Sequence, residues 1–183
     1  MTLTELNTEQ LIERCRKQDQ GAQMEIYNRY YKAMYNTAFR IIRDSAEAED
    51  VMQEAFLTAF TKLSMLEDSK LFGSWLKKIV VNSSLTISRK RTTYGEIPLE
   101  AVSYALTDET EGVVREDLTS VKANAVLQTL KELKESYSTA LSLHLIEGYD
   151  YEEICEILNI SYSNCRTLIS RAKESLRKKL VVA

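Results

Sequence analysis

Proline occurs once and glycine five times in this 183-residue chain. Alternating β-branched runs are equally scarce, so a sheet is hard to build, whereas Glu, Lys, Leu and Ala abound and favour an all-α fold. Long apolar runs are missing too: no stretch of about 18 such residues occurs, and the start, MTLTELNTEQLIERC, has no basic flank leading into an apolar core. Neither a membrane span nor a signal peptide is therefore expected, and the expected compartment is the cytoplasm, without direct membrane insertion. Cysteine is confined to Cys15, Cys155 and Cys165. Their odd number and lack of CxxC spacing speak against a disulfide framework or a zinc site and for buried thiols. His144, the single histidine, lies among apolar neighbours in TALSLHLIEG and has no second His and no Ser or Cys dyad, so it is assigned a structural role. With no metal cluster, Gly-rich phosphate loop or nucleophile-base pair, no catalytic residue, metal, cofactor or small-molecule substrate is expected.

Positive charge is also in short supply. The formal net charge is −3 and the pI about 5.4, so the chain cannot be a generally basic nucleic-acid coat, and any polyanion must be met locally. Yet KLFGSWLKKIVVNSSLTISRKRTTYG, from Lys70 to Gly95, contains no Asp or Glu. Hydrophobic residues make up 44%, enough to build cores in one medium domain or two small ones.

Helical spacing organises the N-terminal part. Asn7 and Gln10 resemble a capping box before a helix that buries Leu11, Ile12 and Cys15 and is expected to end near Gly21. Met24, Tyr27, Tyr30, Tyr31, Met34, Tyr35, Ala38, Phe39 and Ile42 then form an apolar stripe, read first as packing and, as an alternative, as an aromatic platform for bases. Asp44 and Glu47 open a further boxed helix with Val51, Met52, Ala55, Phe56, Ala59, Phe60 and Leu63 inward. On its outward side stand Asp50, Gln53, Glu54, Leu57 and Thr61. A leucine among acids there is either a docking surface or merely an exposed side chain. In the acid-free stretch Phe72, Trp75, Leu76, Ile79 and Val80 keep an apolar face while Lys77 and Lys78 project outward. Asn82, Ser83 and Ser84 interrupt the pattern, either to hydrogen-bond base edges or to cap a bend, and Arg89, Lys90 and Arg91 supply a positive field.

From about Thr92 to Leu118 helical periodicity lapses, and Gly95, Pro98 and Gly112 appear among Glu96, Glu100, Asp108, Glu109, Glu111, Glu116 and Asp117. So long a stretch without periodicity reads as a flexible acidic linker (93–118) between two small helical domains, 1–92 and 119–183. Beyond it, helices are expected over Val121–Leu133 and Ser136–Glu147, with Leu141, Leu145 and Ile146 in the core. A box of Asp150 and Glu153 starts a short helix with Ile154, Ile157 and Leu158 inward. After a turn at Asn159-Ile160, Ser161 caps a basic last helix that buries Cys165, Leu168, Ile169, Ala172 and Leu176.

A capped short helix, a tight turn and a longer basic helix make a helix-turn-helix. Ser161, Ser163, Asn164, Arg166, Thr167 and Ser170 present short or forked donors and acceptors at the end that enters a major groove, and Arg171 and Lys173 are placed for phosphates. A basic amphipathic helix can also lie on an anionic membrane or partner, but the presence of turn, cap and preceding helix favours DNA.

In this order, AEAEDVMQEAFLTAFTKL, FGSWLKKIVVNSSLTISRKR and EGYDYEEICEILNISYSNCRTLISRAKESLRKKL closely resemble the two domains of extracytoplasmic-function sigma factors, the small bacterial specificity subunits of RNA polymerase. The resemblance covers nearly all of the chain outside the linker. It implies that Asp50, Gln53 and Glu54, with Leu57 beside them, bind the clamp helices of the polymerase β′ subunit, and that the β flap is a further contact. It also implies that Asn82 and its neighbours capture a flipped base of the minus-ten element beside Arg89, Lys90 and Arg91. The last helix would read the minus-thirty-five element through Ser163, Asn164, Arg166 and Arg171. Family members often carry Asp at Thr86, Leu-Pro at Leu133-Lys134, Arg at Ser138, Gly at Asn159 and Thr-Val at Asn164-Cys165, departures that bear on the promoter read rather than on the activity. An anti-sigma factor is implied as a further partner. Extracting a base costs a few kcal/mol, so so small a domain needs polymerase to melt a duplex. The linker acids are expected to suit a basic channel and, in the free protein, to screen the basic surfaces. The rivals are an autonomous dimeric helix-turn-helix regulator, which a polymerase pull-down would separate, and a nucleic-acid enzyme, which no motif supports.

Overall fold

The computed structural model describes residues 2–94 and 118–182, with the side chains of 92–94, 118–122 and 182 excepted. The acidic segment between 95 and 117, and with it most of the expected linker, lies outside the described residues. All regular structure among those described is helical, and the chain divides into two compact units, Met1–Leu106 and Thr107–Ala183.

The first unit holds α1 (Thr8–Arg16), α2 (Gln20–Ile42), α3 (Ser45–Thr61) and α4 (Phe72–Tyr94). Asn7 caps α1 through a reciprocal box, its Oδ1 accepting from Gln10 N at 2.9 Å while Asn7 N donates to Gln10 Oε1 at 3.0 Å. The helix stops at Arg16 rather than near Gly21, which falls in the first turn of α2 behind the Asp19 cap. That cap, whose carboxylate accepts from Ala22 N at 3.1 Å, outweighs the glycine's weak helix propensity.

The core gathers Leu11, Ile12, Ile26, Met34, Ala38, Val51, Phe56, Phe72, Leu76 and Val80. Met24 departs from the expected stripe: it is 61% exposed, and Ile26 and Ile41 are buried instead. The helix is broad enough to pack against both α3 and α4, so its apolar arc is wider than a single stripe. Tyr27, Tyr30, Tyr31 and Trp75 pack against this core. Tyr27 stacks on Tyr31 and lies 4.9 Å from the Phe56 ring, so these tyrosines take part in packing.

The second unit contains α5 (Leu118–Lys131), α6 (Glu135–Leu141), α7 (Tyr151–Leu158) and α8 (Tyr162–Val182). The expected regular helix over 136–147 is not found. Past Leu141 the chain widens into a π-helical turn, Ser142–Ile146, in which Glu147 N donates to Ser142 O at 3.0 Å. One extra residue in the turn shifts the helical phase by about 100°, so Leu143 is buried and Leu145, which regular spacing would place inward, is 50% exposed. Gly148, at φ +82°, closes the segment in the left-handed region. Leu141, Leu143, Ile154, Ile169 and Ala172 are fully buried, and α8 packs against α5, α6 and α7.

Candidate nucleic-acid interface

The site of the first unit is built on α4. Asn82, Ser83 and Ser84 do not interrupt it, because the helix continues unbroken to Tyr94. Ser84 is buried, and its hydroxyl is satisfied within the helix by donating to Val80 O at 2.8 Å, the usual way a hydroxyl is accommodated inside a helix. Residues four apart form rows along a helix. Lys78, Asn82, Thr86 and Lys90 make one such row and all are exposed, while Ile79, Ser83, Ile87 and Arg91 make the adjacent one and all are half-buried. Lys77 is half-buried and Arg89 exposed.

Of the three cations expected to supply the positive field, Arg89 and Lys90 are exposed and Arg91 is half-buried. Arg91 turns inward: its side chain is 19% exposed, with one guanidinium nitrogen 2.8 Å from Glu47 Oε2 and 3.7 Å from Asp44 Oδ2. Another nitrogen donates to Ile42 O at 3.0 Å. The Glu47 contact is electrostatic rather than an aligned hydrogen bond to that oxygen. Asp44 still caps α3, accepting from Glu47 N at 3.0 Å, but no reciprocal box closes, since the Glu47 carboxylate faces Arg91 instead.

On α3, Asp50, Gln53, Glu54, Leu57 and Thr61 are all exposed, Leu57 by 62%. Gln53 Nε2 donates to Glu49 Oε1 at 3.1 Å, which orders this outer row. Met65 and Leu71, exposed by 70% and 56% on the connection into α4, escaped the sequence reading, for which isolated apolar residues in a short non-periodic segment give no signal. A groove of about 490 Å³ between α2 and α3, lined by Tyr27, Tyr31, Tyr35, Ser45, Ala46, Glu49 and Met52, also went unseen. Burial, helped by Glu49 and Asp44, raises the Tyr35 pKa above its ordinary value, so the phenol stays neutral.

In the second unit the turn between α7 and α8 is set by Asn159, left-handed at φ 55°, with Ile160 N donating to Cys155 O at 3.1 Å. Asp150 and Glu153 close a reciprocal box at the start of α7, at 2.8 and 2.9 Å. Ser161 Oγ accepts from Asn164 N at 3.3 Å, a long cap on α8. Ser163, Asn164, Arg166, Thr167, Ser170 and Arg171 are exposed together on the first turns of α8, while Lys173 is half-buried at their margin, in the row of Cys165 and Ile169. The Thr167 hydroxyl donates to Ser163 O at 3.0 Å, which leaves its lone pairs as acceptors toward the outside.

Burial first, then the neighbouring Cys155 thiol, pushes the Cys165 pKa up to about 11, and its Sγ lies 3.7 Å from Tyr151 O. Burial, with the charges of Glu147 and Glu153, raises Tyr149 to about 12. His144 Nδ1 sits 3.1 Å from Tyr149 O and its ring packs against Tyr151 at 5.1 Å, a structural placement. All three cysteines are free thiols. No helix among the described residues is long and apolar enough to cross a membrane, and among them no group of His, Cys, Asp and Glu is arranged to hold a metal.

Residues 26–93 match Sigma-70 region 2, and residues 123–176 match Sigma-70, region 4. The chain is 32% identical over 185 residues to the ECF RNA polymerase sigma factor SigW of Bacillus subtilis (strain 168), across 96% of this chain and 98% of that protein. It is 29% identical to the RNA polymerase sigma-H factor of Pseudomonas aeruginosa, across 97% and 96%. Among solved structures, the sigma factor RpoE of Bartonella quintana, in complex with the anti-sigma factor NepR, shares the fold at a TM-score of 0.58 and 21% identity, over 87% of this chain and 96% of that one. An all-α chain with an acid-free helix in one unit, a helix-turn-helix in the other, and a full-length relative at this identity belongs to the ECF family of RNA polymerase sigma factors, which direct promoter-specific transcription.

Proposed function

We propose how the two units divide this work. The exposed side of α4, through Lys78, Asn82 and Lys90 with Lys77, Ser83 and Arg89 beside them, meets the minus-ten element. The first turns of α8, through Ser161, Ser163, Asn164, Arg166, Thr167, Ser170 and Arg171 with Lys173 at the edge, enter the major groove of the minus-thirty-five element. Asp50, Gln53, Glu54 and Leu57 dock on the β′ clamp helices, and the β flap takes the second unit. The domains run over 1–92 and 119–183, and the acidic segment between them tethers the two weak DNA sites and raises their effective concentration. The factor works in the cytoplasm and is no enzyme itself; the polymerase supplies the chemistry. That RpoE was solved with an anti-sigma factor supports a protein inhibitor for this chain as well.

One observation carries this reading. Acid and leucine are exposed on α3 while the exposed row of α4 holds no acid, so neighbouring helices of one small unit present chemically opposite surfaces, suited to a protein and to a polyanion. Run-off transcription with purified core polymerase tests it. RNA should start at new sites only when the chain is added. Leu57→Asp should weaken binding to core polymerase about tenfold or more. Arg166→Gln should lower transcription about tenfold from promoters with a minus-thirty-five element. A chain that leaves core polymerase unchanged in start-site choice would refute the reading.

A further inference from the structure

We infer that Arg91 is a positioning residue: it clasps the DNA-side end of α4 to the corner between α2 and α3, and the promoter meets Lys90 and Arg89 without it. The inference deepens the proposed reading of α4 and rests on it. Three observations support the clasp. Its guanidinium reaches the C-terminal carbonyl of α2, Ile42 O, at 3.0 Å, and the carboxylates of Asp44 and Glu47 at the start of α3, at 3.7 and 2.8 Å. The guanidinium spreads its charge over two terminal nitrogens, so one donates to Ile42 O while the other lies beside both carboxylates, a span that the compact ammonium of a lysine does not cover. The side chain is only 19% exposed, so a phosphate could take it only by breaking contacts already made. It also continues the half-buried row of Ile79, Ser83 and Ile87, in which both isoleucines pack on the core.

The consequence is mechanical. Lys90 and Asn82 share the exposed row next to that of Arg91, so fixing Arg91 fixes the rotation and height of the last turns of α4. The corner it grips is also the start of α3, whose outer row is the proposed polymerase surface. A helix end held at one point on α3 cannot shift relative to it, and base capture by α4 is thereby kept in register with polymerase docking.

The clasp makes a prediction whose sign separates it from ordinary charge effects. Removing an acid near a DNA-binding surface should tighten DNA binding by relieving repulsion. If Asp44 and Glu47 hold Arg91 in place, Asp44→Asn with Glu47→Gln should instead weaken promoter binding, by about threefold to tenfold, although no cation is lost. Asparagine is as good an N-cap as aspartate, so α3 keeps its start. The assay is promoter binding by the complex of core polymerase with the full chain, titrated against salt. Arg89→Gln and Lys90→Gln should each reduce the slope of log affinity against log salt by about 0.7 to 0.9, the value of one phosphate contact. Arg91→Gln should lower affinity with the slope unchanged, and Arg91→Lys should not restore it.

A slope reduced by Arg91→Gln as much as by Lys90→Gln would overturn the clasp and leave the DNA-facing reading of α4 standing. Tighter promoter binding by the Asp44→Asn, Glu47→Gln chain would also overturn it. Slopes unchanged in all three cation variants would instead remove α4 from the DNA interface. In that case the clasp is judged on thermal unfolding, where Arg91→Gln and Glu47→Gln should be less than additive, and additivity would overturn it.

Discussion

Ile169 offers the sharpest test of how the second unit presents its reading face. It is fully buried, as are Ile154, Leu141 and Leu143, and it lies in the middle of α8, whose first turns carry Ser163, Asn164 and Arg166. Ile169→Ala removes three carbons. At about 0.8 kcal/mol each, transfer alone costs about 2.4 kcal/mol, and the cavity left behind brings the total to about 3 to 4 kcal/mol. Residues 118–182 form a small body, and at about 0.05 to 0.15 kcal/mol per residue its stability is about 3 to 10 kcal/mol. The alanine variant should therefore lose much or all of that margin, whereas Ile169→Val, with one carbon removed, should lose about 1 kcal/mol and stay folded. Native-state hydrogen exchange reads this directly. Protection of the α7 and α8 amides should fall at least about 100-fold in the alanine variant and about fivefold in the valine variant, since 1.4 kcal/mol is a factor of ten. Transcription that depends on the minus-thirty-five element should follow the same order. An alanine variant whose protection stays within a factor of ten of the parent would mean that α8 is not anchored through Ile169, and the account of how this face is held would fail.

Two further outcomes follow from local geometry. Asn159 sits in the left-handed region at φ 55°, which costs most L residues about 1 to 2 kcal/mol and asparagine less, so Asn159→Ala should destabilise the chain by about 1 kcal/mol and Asn159→Gly should be close to neutral, as thermal melts would show; an alanine variant as stable as the parent would contradict the turn. Burial, with the Asp19 charge second, pushes the Cys15 thiol up to about 11 from 9.0; because the folded value is raised, its contribution to stability is whole below pH 9 and is lost as pH rises from 9 to 11. Denaturation series of the parent and Cys15→Ala should diverge only across that window, and Cys15 should be slow toward thiol reagents at neutral pH, fast labelling being the contrary result.

Much of the fold was legible because local signals and burial agreed. Asn7 with Gln10 and Asp150 with Glu153 are reciprocal boxes in space, and Phe72, Leu76 and Val80 are buried at their helical spacing. The family was legible from ordered motifs. The misses have separate causes: a local cap that outweighed a glycine, a change of helical phase, and packing partners distant in sequence. Gly21 lost to the Asp19 cap two residues earlier, Leu145 and Leu143 traded places when a π-turn added a residue, and Met24 was traded for Ile26 because α2 packs against α1, α3 and α4 rather than against one helix.

Arg91 is the instructive case, because part of its placement was in the sequence all along. Counting back in fours from Arg91 gives Ile87, Ser83 and Ile79, a row with two branched apolar residues, whereas the same count from Lys90 gives Thr86, Asn82 and Lys78, polar throughout. Taken as a run, Arg89-Lys90-Arg91 is a patch; taken by rows, it is two kinds of cation, one facing solvent and one at the edge of the core. Periodicity alone could say that Arg91 points inward, but not what it would meet, since Ile42, Asp44 and Glu47 lie more than forty residues away and come within 4 Å only when α2 and α3 have packed. An inward arginine at the end of an otherwise acid-free helix therefore implies an acid supplied from elsewhere in the fold, for a desolvated guanidinium without one would cost more than the packing around it returns. The start of α3, where a helix N-terminus already favours carboxylates, is where this chain supplies it.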